Sequence, residues 1–219
     1  MIKRALFSLI LVILGGVLIG LIFFQKGQEN KAKEIKKEGT KMTENLSGKK
    51  VLMIIAFRNF RDQEYFVPKK VFEEAKIEVK TASNEKGIAI GADGGDAKVD
   101  YLISEVSVND FDAVVFVGGP GALQNLDNEN SYKLAKEAIN NGKVLGAICI
   151  SPVILAKAGV LSQKRATVWT DFTKSQAKTL KEYGAIFEDK EVVVDGNIVT
   201  GNGPEAAENF AKKIIELLQ

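Results

Sequence analysis

Cys149, the sole cysteine of the chain, stands in the stretch GAICISP (146–152), where small and apolar residues meet a Ser-Pro. VLGAIC (144–149) reads as a buried strand and SPVILAKAGV (151–160) as a short helix with Pro152 in its first turn. The thiol therefore falls in a strand-turn-helix corner, the geometry of a nucleophile elbow, although the residues differ from G-x-S-x-G. At a helix N-terminus, partial positive charge and free N–H groups favour thiolate over thiol. Cysteine is also among the most often buried residue types, so position alone leaves two readings open, a reactive group and an apolar filler.

The chain has no histidine. A Ser-His-Asp or Cys-His pair is thereby excluded, in one chain or across copies of it, and so is a zinc site of the usual Cys/His kind. General acid or base work falls to carboxylates, Tyr, Lys or water. Glu64 and Asp62, in RDQEYFVP (61–68), read first as carboxylates opening a helix, and Tyr65 as a packing residue. For Arg58 and Arg61 the default is a solvated surface, with attraction of an anionic substrate as the alternative. Lys and Arg number 30 against 28 Asp and Glu, a formal charge of +2, and no basic stripe interleaved with aromatics follows the first fifty residues. Nucleic acid is therefore not an expected partner; a small molecule or a protein fits better.

The elements that must position these groups alternate. KVLMIIAF (50–57) is a continuous apolar run of strand length, followed by helical spacing over 61–75, with Pro68 tolerable only near a first turn, and a second strand over 76–83. Residues 87–103 alternate around glycine turns as a hairpin beside the main sheet. A strand runs from 111 into GGPGA, a helix spans 131–143 and closes on Asn-Gly, and RATVW, a helix over 173–185, the EVVVDGNIVT pair and a last helix from Pro204 complete the chain. Strands alternating with helices imply an α/β domain with a mostly parallel sheet covered on both faces. In such a sheet, sites collect at the carboxyl ends of the strands. Three loops qualify: Gly118-Gly119-Pro120-Gly121, Cys149-Ile150-Ser151-Pro152 and Gly201-Asn202-Gly203-Pro204. None matches a phosphate-loop or dinucleotide fingerprint, and no cofactor or metal is expected.

Ahead of this domain, residues 5–24 form an uncharged apolar run long enough to cross a bilayer, preceded by Lys3 and Arg4 and ending in Phe-Phe-Gln rather than a small-x-small cleavage site. A single transmembrane anchor (1–24) is the expectation, with a cleaved signal sequence as its rival. Residues 25–48, rich in Lys, Glu and Gly, read as a polar tether, leaving 49–219 as the domain. The short N-terminal tail points to export of the domain; the lysines after the span point the other way.

VVFVGGPGALQNL, GKVLGAICISPVILAKAGVL and DGNIVTGNGP, in this order and spacing, resemble the DJ-1/PfpI superfamily over about residues 49–219. The resemblance implies a flavodoxin-like fold, with Cys149 at the family's elbow cysteine and Glu64 as its partner carboxylate. It implies that the backbones of Gly118, Gly119 and Ile150 line an anion site. Ser151, Trp169, Gly203 and Pro204 would border the pocket, with Phe172 as a further wall; helix capping is the rival role for Ser151, and core packing is the rival role for Trp169 and Phe172. Members are described as proteases, glyoxalases or deglycases, chaperones and oxidative-stress sensors, and commonly form homo-oligomers. Many carry a histidine directly after the elbow cysteine, where Ile150 stands; others carry one about twenty residues on, where Trp169 stands. The resemblance thus points to a Cys149–Glu64 chemistry on small carbonyl compounds or glycated groups, with a non-enzymatic oxidative-stress sensor or interaction module acting through Cys149 oxidation as the alternative and a peptidase disfavoured. A protonated Glu64 beside a low-pKa Cys149 thiolate is the expected charge state.

Overall fold

The computed structural model describes residues 46–219. The predicted span over 5–24 and residues 25–45 of the predicted tether lie outside the described residues. Among those described, no helix is long and apolar enough to cross a membrane.

The apolar runs read from the sequence form the middle of one sheet. Its strands are β1 (Lys50–Ile54), β3 (Glu78–Ser83), β6 (Tyr101–Leu102), β7 (Ala113–Phe116), β8 (Val144–Ile148), β11 (Val192–Asp195) and β12 (Ile198–Gly201). They lie in the order β11-β12-β8-β7-β1-β3-β6, and every neighbouring pair is parallel except β11 with β12. The five central strands, numbered as they occur, read 2-1-3-4-5, the doubly wound flavodoxin-like order. Val51 to Ile54, Ala113 to Phe116 and Val144 to Ile148 are buried throughout, as strands covered on both faces require.

Helices α1 (Asp62–Glu74) and α6 (Ala207–Leu218) pack together on one face, α6 lying over β8 and β12. On the other face, α3 (Glu129–Asn140) packs on β7 and β8 and beside α4 (Pro152–Lys157), which follows the short α2 (Ala122–Leu126) and α3 in the chain. α3 starts at Asn128, whose side chain accepts from the N–H groups of Asn130 (3.1 Å) and Ser131 (3.2 Å), and it ends before Asn141-Gly142 as the sequence predicts. α5 (Ser175–Glu182) packs against α4 beside a two-stranded parallel pair, β9 (Arg165–Ala166) with β10 (Ile186–Phe187).

Three expectations change in detail. The predicted hairpin divides: β4 (Ile88–Gly91) and β5 (Asp96–Lys98) pair antiparallel, while Tyr101–Leu102 leaves them and joins the edge of the main sheet. The hairpin instead belongs to a separate three-stranded sheet with β2 (Arg58–Phe60), a strand too short to show a periodicity. Pro68 falls at the seventh residue of α1, not its first turn, so the helix lacks the N–H that would bond the Glu64 carbonyl.

Candidate active site

The carboxyl ends of β1, β7, β8 and β12 open into one cleft of about 340 Å³. Its walls come from Arg61 and Glu64 after β1, Gly119 and Pro120 after β7, Cys149 and Ile150 after β8, Trp169, and Pro204 after β12. This is where the strand-order reversal between β1 and β7 predicts a ligand site.

Cys149 follows the last residue of β8 and adopts a left-handed conformation, φ 62°. For a residue with a Cβ this costs on the order of 1–3 kcal/mol and persists only where the surroundings over-determine it. They do so here: the Cys149 N–H donates to Gly201 O (2.9 Å), and its carbonyl accepts from the Trp169 N–H (2.8 Å). Ser151 adds a third tie, because its buried hydroxyl donates to the Val117 carbonyl (2.9 Å) and couples this loop to the end of β7. That bond replaces the predicted helix cap: no N–H of α4 is held by the Ser151 side chain.

Glu64 sits in the first turn of α1 and is 0 % exposed. α1 is fixed at this height by its own entry, where the Arg61 N–H donates to Gly118 O (3.0 Å). Glycine at 118 is required for close approach, since an added Cβ would lie 2.6 Å from both Cys149 Cβ and Glu64 Oε2. The two side chains therefore meet over one glycine. Gly119, at φ 114°, needs its freedom for two reasons: the positive φ itself and the Arg61 nitrogen that a Cβ would strike.

Both Glu64 carboxylate oxygens are buried without a hydrogen-bond partner among the described residues. Burial is accordingly the main influence on this group and raises its pKa from 4.5 to about 7; the Cys149 thiol, the Arg61 guanidinium and the Gly118 N–H act on it less strongly and in the opposite direction. The Cys149 thiol is also pushed up, first by burial and then by the adjacent carboxylate, while the Gly119 and Ile150 N–H groups oppose the rise. Both influences favour the neutral thiol over the expected resting thiolate. Cys149 is only 9 % exposed, and the six-residue helix behind it does not offset desolvation and a like charge. What holds of the expected charge state is the tendency of Glu64 to keep a proton well above the ordinary carboxylate range.

The other predicted positions divide. Trp169 (41 % exposed) and Pro204 line the cleft. Gly203 lies behind Trp169, where an added Cβ would meet Trp169 Cδ1 at 3.7 Å, and Ser151 and Gly118 support the lining without forming it. Phe172 is fully exposed and walls nothing, because the loop carrying it turns outward around Asp171, which holds Thr173 and Ser175. Tyr65 packs as expected and shares a hydrogen bond with Thr81 Oγ1 (2.7 Å). The two arginines part company: Arg58 stacks on the Phe57 ring and reaches Ile88 O, whereas Arg61 faces the cleft. Pro120 adds a wall from the first of the three candidate loops, marked in the sequence only by following the glycine pair. Among the described residues no group of three or more His, Cys, Asp or Glu is placed to hold a metal ion.

Comparison with known proteins agrees with this fold. An uncharacterized protein of Methanocaldococcus jannaschii is 41 % identical over 177 residues, 80 % of this chain and 85 % of its own. Deglycase PfpI of Pyrococcus furiosus is 32 % identical over 168 residues, 77 % of this chain and 99 % of its own. The crystal structure of a ThiJ/PfpI domain protein from Brachyspira murdochii superposes with a TM-score of 0.74 at 37 % identity, covering 78 % of this chain and 98 % of that one. The sequence pattern of the DJ-1/PfpI family matches residues 49–217, and the chain belongs to that family.

Proposed function

We propose that the cleft carries a histidine-free, cysteine-dependent activity on small carbonyl compounds or glycated groups, with Cys149, directly after β8, as nucleophile and Glu64 as acid and base. One observation carries this reading: a fully buried glutamate whose carboxyl lies beside the sole thiol of a chain with no imidazole. A carboxyl group with a pKa of about 7 has the basicity that histidine supplies elsewhere.

In this scheme ionised Glu64 takes the thiol proton as sulfur adds to the carbonyl carbon. The C–S bond forms, the carbonyl π pair moves onto oxygen, and Glu64 returns the proton to that oxygen to give a hemithioacetal. A neutral resting thiol is no obstacle, because the thiolate is needed only as the bond forms. The name of the deglycase relative supports the substrate class. The full-length protein with methylglyoxal is the test, beside Cys149→Ala and Glu64→Gln: turnover lost in Cys149→Ala is expected, and turnover unchanged there ends the scheme.

A second reading is oxidation of Cys149 by peroxide to sulfenate or sulfinate. The Gly119 and Ile150 N–H groups acting on the sulfur support it, since both would stabilise an oxyanion there. Stoichiometric conversion at low peroxide with no carbonyl turnover would favour that reading over the first. Residues 5–24 would hold the domain to a membrane, outside the cytoplasm, with copies of the chain associating; sedimentation with membranes after an alkaline wash tests the anchor.

A further inference from the structure

Among the described residues, the one cation in the cleft wall is Arg61. Its main chain is locked to the site, since its N–H donates to Gly118 O and its nitrogen crowds Gly119. The side chain therefore begins a fixed distance from Cys149. Among the described residues the guanidinium has one partner, Asp93, reached through Nη1 at 3.2 Å to each carboxylate oxygen. Nη2 and Nε carry no bond there. Asp93 is more than half exposed, and an ion pair in water of this kind is weak enough for a ligand to compete with it. The rest of the wall, apart from Cys149 and the buried Glu64, is apolar, backbone or the uncharged Trp169 indole, so nothing else in it would pair with an anion through a charged side chain.

We infer that the cleft is selective for carbonyl compounds bearing an anionic group, a carboxylate or a phosphate, which the free edge of the Arg61 guanidinium holds while Cys149 meets the carbonyl carbon. This rests on the reading of Cys149 as the reactive group. A planar guanidinium with two free N–H directions suits either anion, whereas a neutral carbonyl compound gains nothing from it.

The test compares alkylation of Cys149 by iodoacetate, which is anionic, and iodoacetamide, its neutral analogue, in the full-length protein. Taking the ratio of the two rates within each protein cancels effects of a substitution on folding and on the intrinsic reactivity of the thiol, which both reagents share. Arg61→Gln should lower the iodoacetate-to-iodoacetamide ratio by about fivefold, as loss of a partly exposed charge pair implies, and Arg61→Lys should restore part of it. Glyoxylate and glycolaldehyde phosphate should each be tried against neutral glycolaldehyde for protecting Cys149 from iodoacetamide. Stronger protection by either anion supports the inference and identifies the anion. An unchanged ratio in Arg61→Gln, or equal protection by all three, overturns it while leaving Cys149 reactive. A Cys149 that reacts with neither reagent overturns the functional reading itself.

Discussion

Asp62 and Glu64 are two carboxylates in one turn of α1, and they are treated oppositely. Asp62 turns outward and both of its oxygens are used: Oδ2 accepts from the Asp93 N–H (2.8 Å) and Oδ1 from the Gly95 N–H (2.6 Å), fastening the helix to the β4–β5 hairpin. Glu64 turns inward, is completely buried, and has no hydrogen-bond partner among the described residues. A buried polar group left without partners costs free energy that folding alone does not recover. The contrast therefore separates a carboxylate that builds the fold from one that the fold holds in readiness.

The largest effect should come from exchanging charge for amide at each position. Glu64→Gln is expected to lower carbonyl turnover by about a hundredfold or more, as loss of a positioned acid and base does, while Asp62→Asn costs far less. Steady-state kinetics of the two variants side by side checks this; equal losses would erase the distinction.

Stability against pH gives the next effect. Because burial raises the Glu64 pKa from 4.5 to about 7, the folded state binds this proton more tightly than the unfolded chain does. The stability linked to Glu64 is thus fully present below about pH 4.5 and is lost as pH rises through 7. Glu64→Gln should remove that loss, so the variant gains on the wild type by about 3 kcal/mol between pH 4.5 and pH 8 in urea unfolding. A pH-independent difference would show that Glu64 is not held in a desolvated site.

Removing the outward carboxylate acts on structure instead. Asp62→Ala should destabilise the domain by about 2 kcal/mol and speed hydrogen exchange at Asp93 and Gly95. The smallest effect belongs to Ser151→Ala, about 1 kcal/mol, for the single bond between the Cys149 loop and Val117.

How much of this was legible in the sequence follows from what each feature depends on. The buried strands were readable because Val51 to Ile54 and Ala113 to Phe116 are apolar without interruption, and parallel order follows from alternation with helices. The end of β8 just before Cys149 was readable from the small and apolar residues ahead of Ser-Pro. The division of 87–103 was not, because β2 meets β4 through pairing distant in sequence and only three residues long. Nor was the fate of the arginines: Arg58 and Arg61 are alike in composition and local context, and only the tertiary approach of Gly118 to the Arg61 backbone turns one toward the cleft. The raised thiol pKa escaped for the same reason. Helix position is visible in the sequence, but the depth of burial and the distance to Glu64 are not.

The central claim, that Glu64 does for Cys149 what an imidazole would do, is tested most directly by the rate of Cys149 alkylation with iodoacetamide as a function of pH. Burial raises the Glu64 pKa to about 7, so the carboxylate that would take the thiol proton forms near that pH. The account predicts a rate that rises through an inflection near pH 7 in the wild type, and loss of that inflection in Glu64→Gln. A wild-type profile without it, or the same inflection in both proteins, would contradict the account.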